Sequence, residues 1–244
     1  MNILPENISS YGEQFDSLAT LITIFAVLWF LAAFSVMMYF VLRYRHKIGQ
    51  KAAYITGNSF KELKYMLVIL VLVVLSDFYI DIRTVSVWDH IKIQKPTEGE
   101  KIGIQAYQWA WAFKYPGPDG ILGTEDDKVS YGEMHVPINK NILFDLTAKD
   151  VLHSFWVREL RLKQDAVPGR VIQGWFQATK TGKYEIMCAE ICGLNHSMMK
   201  GTLIVDSEED YKKYIDNLYN PPLPALVPNV KDEKAVVVNK KEER

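Results

Sequence analysis

Twelve consecutive residues, CAEICGLNHSMM, bring Cys188, Glu190, Cys192, His196 and Met199 into one short segment. Two thiolates, an imidazole and a thioether make a soft nitrogen–sulfur donor set, which suits copper better than a hard cation. Zinc accepts Cys and His but does not usually recruit a Met. The mixture therefore points to electron transfer at copper, with Met199 as a weak ligand that tunes the potential. The plain alternative for the 2 cysteines of this chain, in an oxidising compartment, is a Cys188–Cys192 disulfide that binds no metal.

The rest of the chain must hold that segment in place. Its 244 residues carry a net charge of −1, are 49% hydrophobic and 23% charged. That balance excludes a disordered chain, a disulfide-rich mini-domain and a strongly basic nucleic-acid binder, so no nucleic-acid partner is expected. The averages conceal a strong asymmetry. From Leu18 to Leu42 run 25 residues without a charge, enough to cross a bilayer as a tilted helix. Glu6, Glu13 and Asp16 precede this run and no Lys or Arg does, which argues against a cleaved signal peptide. Arg43, Arg45, Lys47 and Lys51 follow it, placing the N-terminus outside and the loop in the cytoplasm. A second apolar stretch, Tyr65–Ser76, is short for a span. If Lys61 and Lys64 snorkel to the cytoplasmic face and Asp77 sits near the outer interface, the helix extends from about Phe60 to Ile80. A re-entrant or interfacial helix is the competing reading. A full crossing returns the chain to the outer side, so residues 1–88 are expected to form a membrane anchor with helices near 18–42 and 60–80.

From 89 to 220 the pattern changes to short β-type runs punctuated by Gly, Pro, Asn and Asp, among them KIGIQAYQWAWAFKY, NILFDLTA, RVIQGWFQAT, GKYEIMC and GTLIVD. Short, frequent strands without long helices between them predict an antiparallel sandwich or barrel. Tyr107, Trp109, Trp111, Phe113 and Tyr115 alternate at period two and are expected on one face of one strand. Ser207, three residues before Asp210, is a good cap for a closing helix. The acidic insertion PGPDGILGTEDDK fails the EF-hand template and reads as an ordinary loop. Residues 221–244, rich in Pro and charge, read as an extended or disordered tail.

The spacing C-x-E-x-C-x-x-x-H-x-x-M resembles the binuclear copper (CuA) motif of subunit II of cytochrome c oxidases. DVLHSFWVRELRLKQDAVPGR is similar to the segment that supplies that family's other copper histidine, and AYQWAWAFKYPG resembles its aromatic segment. The resemblance implies a two-helix hairpin followed by a cupredoxin-like (Greek-key) outer domain. It implies that Cys188 and Cys192 bridge two copper ions, that His153 and His196 each ligate one, and that Met199 and the backbone carbonyl of Glu190 complete the set. Trp109 matches the tryptophan proposed to accept the electron from a c-type cytochrome. Glu190 and Asp165 match carboxylates that help bind magnesium at the junction with subunit I, and Glu62 a glutamate at the mouth of a proton path. The implied partners are the bilayer, a cytochrome donor, subunit I with its haem, and subunit III. The implied location is a prokaryotic inner membrane or an equivalent respiratory membrane, with the copper domain on its outer side.

The match also departs from the family pattern. Tyr65 and Met66 stand where Trp-Thr is usual, and Arg158 replaces a usual Pro near the copper histidine. A helix-start glutamate favoured by the helix dipole accounts for Glu62 equally well. The small subunit of a CuA-type nitric oxide reductase carries a similar domain and stays open as an alternative. A membrane-anchored copper chaperone or thiol oxidoreductase is disfavoured. Such proteins follow the second Cys with Pro on a thioredoxin-like pattern, whereas Gly193 follows Cys192. His46, His90 and His135 have no motif around them.

Overall fold

The computed structural model describes residues 4–51 and 56–221. The tail expected over 221–244 lies, beyond its first residue, outside the described residues. Two helices come first, α1 (Gly12–Arg43) and α2 (Phe60–Trp88). At a rise of about 1.5 Å per residue they measure about 48 and 43 Å, more than the ~30 Å of a hydrocarbon core. They lie antiparallel: Trp29 Nε1 donates to Ser76 Oγ at 3.2 Å, and the rings of Phe25 and Tyr79 are 6.4 Å apart. Most other apolar side chains of both helices are exposed, as expected of surfaces that face lipid or membrane protein.

The second helix does not end near Ile80. It runs on to Trp88 and through a π-helical turn, Asp89–Ile93. Asp77, Asp81 and Arg83 look like a boundary, but no Gly or Pro occurs between Phe60 and Lys95, so nothing stops the helix at those charges. The second helix has no break at which a re-entrant segment would turn back, and both helices are long and apolar enough to cross a membrane. Ser59 Oγ caps the start of α2 by accepting from the Lys61 amide at 3.3 Å.

Beyond the helices, ten strands form two five-stranded sheets. The first takes the order β3 (Lys128–Tyr131), β2 (Ala110–Tyr115), β1 (Glu100–Tyr107), β5 (Asn141–Ala148), β8 (Ile172–Gln177). The second takes the order β4 (Glu133–Pro137), β10 (Lys200–Asp206), β9 (Gly182–Cys188), β6 (His153–Val157), β7 (Leu162–Ala166). The pairs β1–β5 and β4–β10 are parallel and the others antiparallel. β5 shows the organising pattern: Ile142, Phe144, Leu146 and Ala148 point inward and alternate with half-buried residues, as a half-buried strand requires. The architecture is a helical hairpin followed by a cupredoxin-like β-sandwich.

The aromatic run is not one strand. β1 ends at Tyr107, β2 starts at Ala110, and the two pair antiparallel around Gln108–Trp109. Trp111, Phe113 and Tyr115 are buried on β2, while Tyr107 and Trp109 are only half-buried. Period-two alternation carries straight through this tight turn because no Gly, Pro or Asn marks it. In the acidic insertion, Asp119, Asp126 and Asp127 accept from Ile121, Thr124 and Gly123 of the same loop. These carboxylates organise their own turn. The closing helix α3 (Glu208–Tyr219) is capped as expected, Ser207 Oγ accepting from the Asp210 amide at 3.1 Å. His135 stacks on Tyr214 of α3 at 3.7 Å and lies 2.7 Å from Asp206, a packing role.

One contribution to the sandwich comes from before the first helix. Ile8 and Tyr11 are fully buried in the β core, with the Tyr11 ring edge-on to Trp175 at 5.3 Å. The Ile8 amide donates to Glu159 O at 3.0 Å, and Ile8 O accepts from the Thr179 amide at 2.7 Å. Arg161 fastens the same corner. Its guanidinium holds Asp16 through two bonds, 2.6 and 2.9 Å, and also donates to Pro5 O and Arg158 O.

Candidate metal centre

The donor segment is the loop between β9 and β10. Cys188 is the last residue of β9, and its amide donates to Met199 O at 3.2 Å, closing the loop at its base. A short 3-10 turn, His196–Met198, rests on a bond from the His196 amide to Gly193 O. Gly193 has a φ of +117°, which favours glycine, and a Cβ there would come 2.9 Å from Gln108 Nε2 and 3.2 Å from the Trp109 ring. That residue type lets the loop fold under the β1–β2 turn. His153 opens β6, the strand paired with β9 through Phe155 and Cys188, so the sheet carries the histidine to the loop.

The side chains converge. Cys188 Sγ is 3.7 Å from Cys192 Sγ, 3.8 Å from His153 Nδ1 and 3.3 Å from Glu190 O. Cys192 Sγ is 3.5 Å from His196 Nδ1 and 3.8 Å from Met199 Sδ. The cysteines are free, and their separation is far beyond a disulfide bond. Ligands about 2.0–2.3 Å from a common ion at tetrahedral angles stand about 3.3–3.8 Å apart. All five separations fall in that range, so the residues fit a metal centre. Cys192, Met199 and His153 are essentially inaccessible, Cys188 nearly so, and His196 is half-buried at the rim. Among the described residues, His153, Cys188 and Cys192 form a three-donor group whose ligand atoms lie within 4.8 Å of one another. Burial, reinforced by the Cys188 sulfur, pushes the Cys192 thiol up to about 11, so a metal arriving near neutral pH must displace its proton.

Two residues to which the sequence reading gave no part in the centre orient it. Asp150 Oδ1 lies 2.8 Å from His153 Nε2, which assigns the ring proton to Nε2 and turns Nδ1 toward Cys188. Partial burial raises the Asp150 carboxyl, but bonds from His153, Gln108 and Val151 outweigh it and hold the carboxyl below its ordinary value. Gln108 is the second. Its amide donates to Asp150 Oδ2 at 2.7 Å, and its Nε2 donates to Cys192 O at 2.7 Å. The same carbonyl accepts from Trp109 Nε1 at 3.2 Å, so the half-buried indole is tied directly to the backbone of Cys192. Trp111 backs the site from within, its ring 6.4 Å from that of His153. An aspartate three residues before a histidine is a weak signal. Gln108 has none, because its partners are 42 and 84 residues away.

Two expected residues lie apart from this cluster. Glu62 sits exposed in the first turn of α2, at the end of the hairpin away from the β-sandwich. Glu190 contributes its carbonyl to the cluster, whereas its carboxylate and Asp165, on β7, join no three-donor group among the described residues.

Comparison with known proteins points to one family. The family model for the periplasmic domain of cytochrome c oxidase subunit II matches residues 101–207. The alternative cytochrome c oxidase subunit 2 of Bradyrhizobium diazoefficiens is 33% identical over 209 residues, covering 77% of this chain and 74% of that protein. Subunit 2 of Cereibacter sphaeroides is 30% identical over 226 residues, covering 80% and 70%. Subunit 2 of Thermostichus vulcanus is 42% identical over 113 residues, a match that spans 46% of this chain but 32% of that longer relative. Identity of 30% or more to these relatives, over more than two thirds of both chains, shows that this chain belongs to the cytochrome c oxidase subunit II family.

Proposed function

We propose that this chain is the electron-accepting subunit of a cytochrome c oxidase, with a binuclear copper centre held by His153, Cys188, Cys192, His196, Met199 and the carbonyl of Glu190. One observation carries the reading: two free thiols 3.7 Å apart, each with an imidazole nitrogen beside it at ligand spacing. Copper held there by Cys188, Cys192, His153, His196 and Met199 would supply reversible one-electron chemistry. The protein's own contribution is rigidity and dryness. Cys188 and His153 belong to paired strands, Met199 abuts β10, and burial excludes water, so both redox states meet one geometry.

Electrons from a c-type cytochrome arrive at the half-buried face formed by Trp109 and His196. Trp109 suits this because its indole is partly exposed and its Nε1 is bonded to the backbone of a copper ligand. The electrons leave toward haem in the partner membrane subunit, where oxygen is reduced. The domain lies on the side of the membrane that holds residues 4–11, the outer side of a prokaryotic respiratory membrane by the charge of the α1–α2 loop.

The test uses the full chain purified in detergent and loaded with copper. The expected result is two copper ions per chain and a delocalised mixed-valence EPR signal. Cys188→Ser abolishes that signal, while Met199→Leu retains copper at a shifted potential. A single mononuclear copper in the wild-type chain overturns the reading.

A further inference from the structure

The outer half of α2 carries Asp77, Asp81 and Arg83 in a helix whose other residues there are mostly apolar. Their depth follows from the register of the hairpin. Trp29 is level with Ser76 and Phe25 with Tyr79, so the uncharged run Leu18–Leu42 lies level with residues 87 down to 63 of α2. The middle of that run, Phe30, is opposite Leu75. At about 1.5 Å per residue, Asp77 stands about 3 Å and Asp81 about 9 Å from the middle of the span. Both are inside the hydrocarbon layer. The sequence alone had put Asp77 near the outer interface.

Helical periodicity divides α2 into three sides. Val73, Ser76, Ile80 and Val87 are the half-buried or buried residues that meet α1. Val71, Phe78, Ile82 and Val85 form an exposed apolar side suited to lipid. Between them runs a stripe of Leu70, Asp77, Asp81, Thr84 and Trp88. Among the described residues neither aspartate has an ion-pair or hydrogen-bond partner, and the facing part of α1 contains no charge to offer. Arg83 lies on the side toward α1, in the recess with Gln14 and Ser17.

A carboxylate at this depth does not face lipid; it is covered by protein and paired there. We infer that the Asp77–Asp81 stripe is a seam against a transmembrane helix of the haem-bearing partner subunit, which presents basic or hydrogen-bond-donating side chains at those two depths. A second copy of this chain is a poor occupant, because a two-fold contact about the membrane normal sets each aspartate against its own kind. The identity of the partner rests on the oxidase reading. The pairing itself rests only on the hairpin.

The experiment places a photoreactive amino acid at Leu70, Thr84 or Phe78 of the full chain in its native membranes, with both aspartates intact. In parallel, haem recovered with the affinity-tagged chain is measured for Asp77→Leu/Asp81→Leu and for Asp77→Asn/Asp81→Asn, with the copper EPR signal as the check on folding. Leu70 and Thr84 are expected to cross-link to a haem-bearing polypeptide, and Phe78 to lipid. The double Leu variant is expected to lose at least tenfold of its haem, and the double Asn variant to keep most of it. Cross-links from Thr84 to lipid or to a second copy, or wild-type haem in the double Leu variant, overturn the seam. Loss of the copper signal in the wild-type chain strikes at the proposed function and leaves these cross-links interpretable.

Discussion

Replacing Asp150 by Asn leaves every proposed copper ligand in place and removes only a negative charge. The carboxylate of Asp150 meets three donors. Oδ1 lies 2.8 Å from His153 Nε2 and accepts from the Val151 amide at 2.7 Å, while Oδ2 accepts from the Gln108 amide at 2.7 Å. An Asn side chain has one accepting atom, so its NH2 group must face either the His153 edge or the Gln108 amide. At least one hydrogen bond to a charged acceptor is lost, worth roughly 1.5–3 kcal/mol. If that loss falls on the alignment of His153, copper binding weakens by about 10- to 100-fold, the size typical of a partner that orients a metal-bound histidine. The assay is a competition titration with a copper chelator, followed by the optical and EPR spectra at saturation. The expected outcome is weaker binding with the binuclear signal recovered once enough copper is present. An affinity equal to wild type refutes the idea that Asp150 orients the centre. Complete loss of the signal at saturation also refutes it, by making the carboxylate part of the centre itself.

Three further outcomes follow from the packing and the thiols. Ile8→Ala is expected to lower the thermal midpoint of the outer domain, because deleting a fully buried Ile side chain costs about 2–5 kcal/mol. Tyr11→Phe is expected to be neutral or stabilising, since the Tyr11 hydroxyl is buried with no hydrogen-bond partner; tryptophan-fluorescence melts of the two variants check the contrast. Copper uptake is expected to tighten as pH rises from 6 to 8. The Cys192 thiol is held up at about 11 and is protonated throughout that window, so each proton displaced from a thiol contributes up to about tenfold per pH unit. Titrations at fixed free copper that show no dependence on pH contradict this.

The metal loop was readable in the sequence because its donors are consecutive. Cys188, Cys192, His196 and Met199 need only one strand end and one loop to meet. His153 came from a resemblance between segments, since nothing local to it says which strand it will pair with. Asp150 and Gln108 stayed hidden for a related reason: their roles exist only once β1, β2 and the loop are stacked. Local signals also misled where two of them overlapped. Alternating aromatics carried the eye across the Gln108–Trp109 turn, and three charges in α2 imitated the end of a helix that no Gly or Pro terminates. Ile8 and Tyr11 gave no periodic signal, being two core residues in a short arm ahead of a membrane helix.

That arm bears on how the chain reaches its native topology. Ile8 is joined to Glu159 and Thr179, residues more than 150 positions later. The sandwich therefore stays unfinished until segments from the two ends of the described chain have crossed to the same side of the bilayer. If the first helix is inserted the wrong way round, Ile8 and Tyr11 remain on the opposite side of the membrane from the sandwich, which is left with a gap in its core and Arg161 without Asp16. Correct insertion and completed folding are thus one event for this chain. A mis-inserted molecule is left with an incompletely packed outer domain.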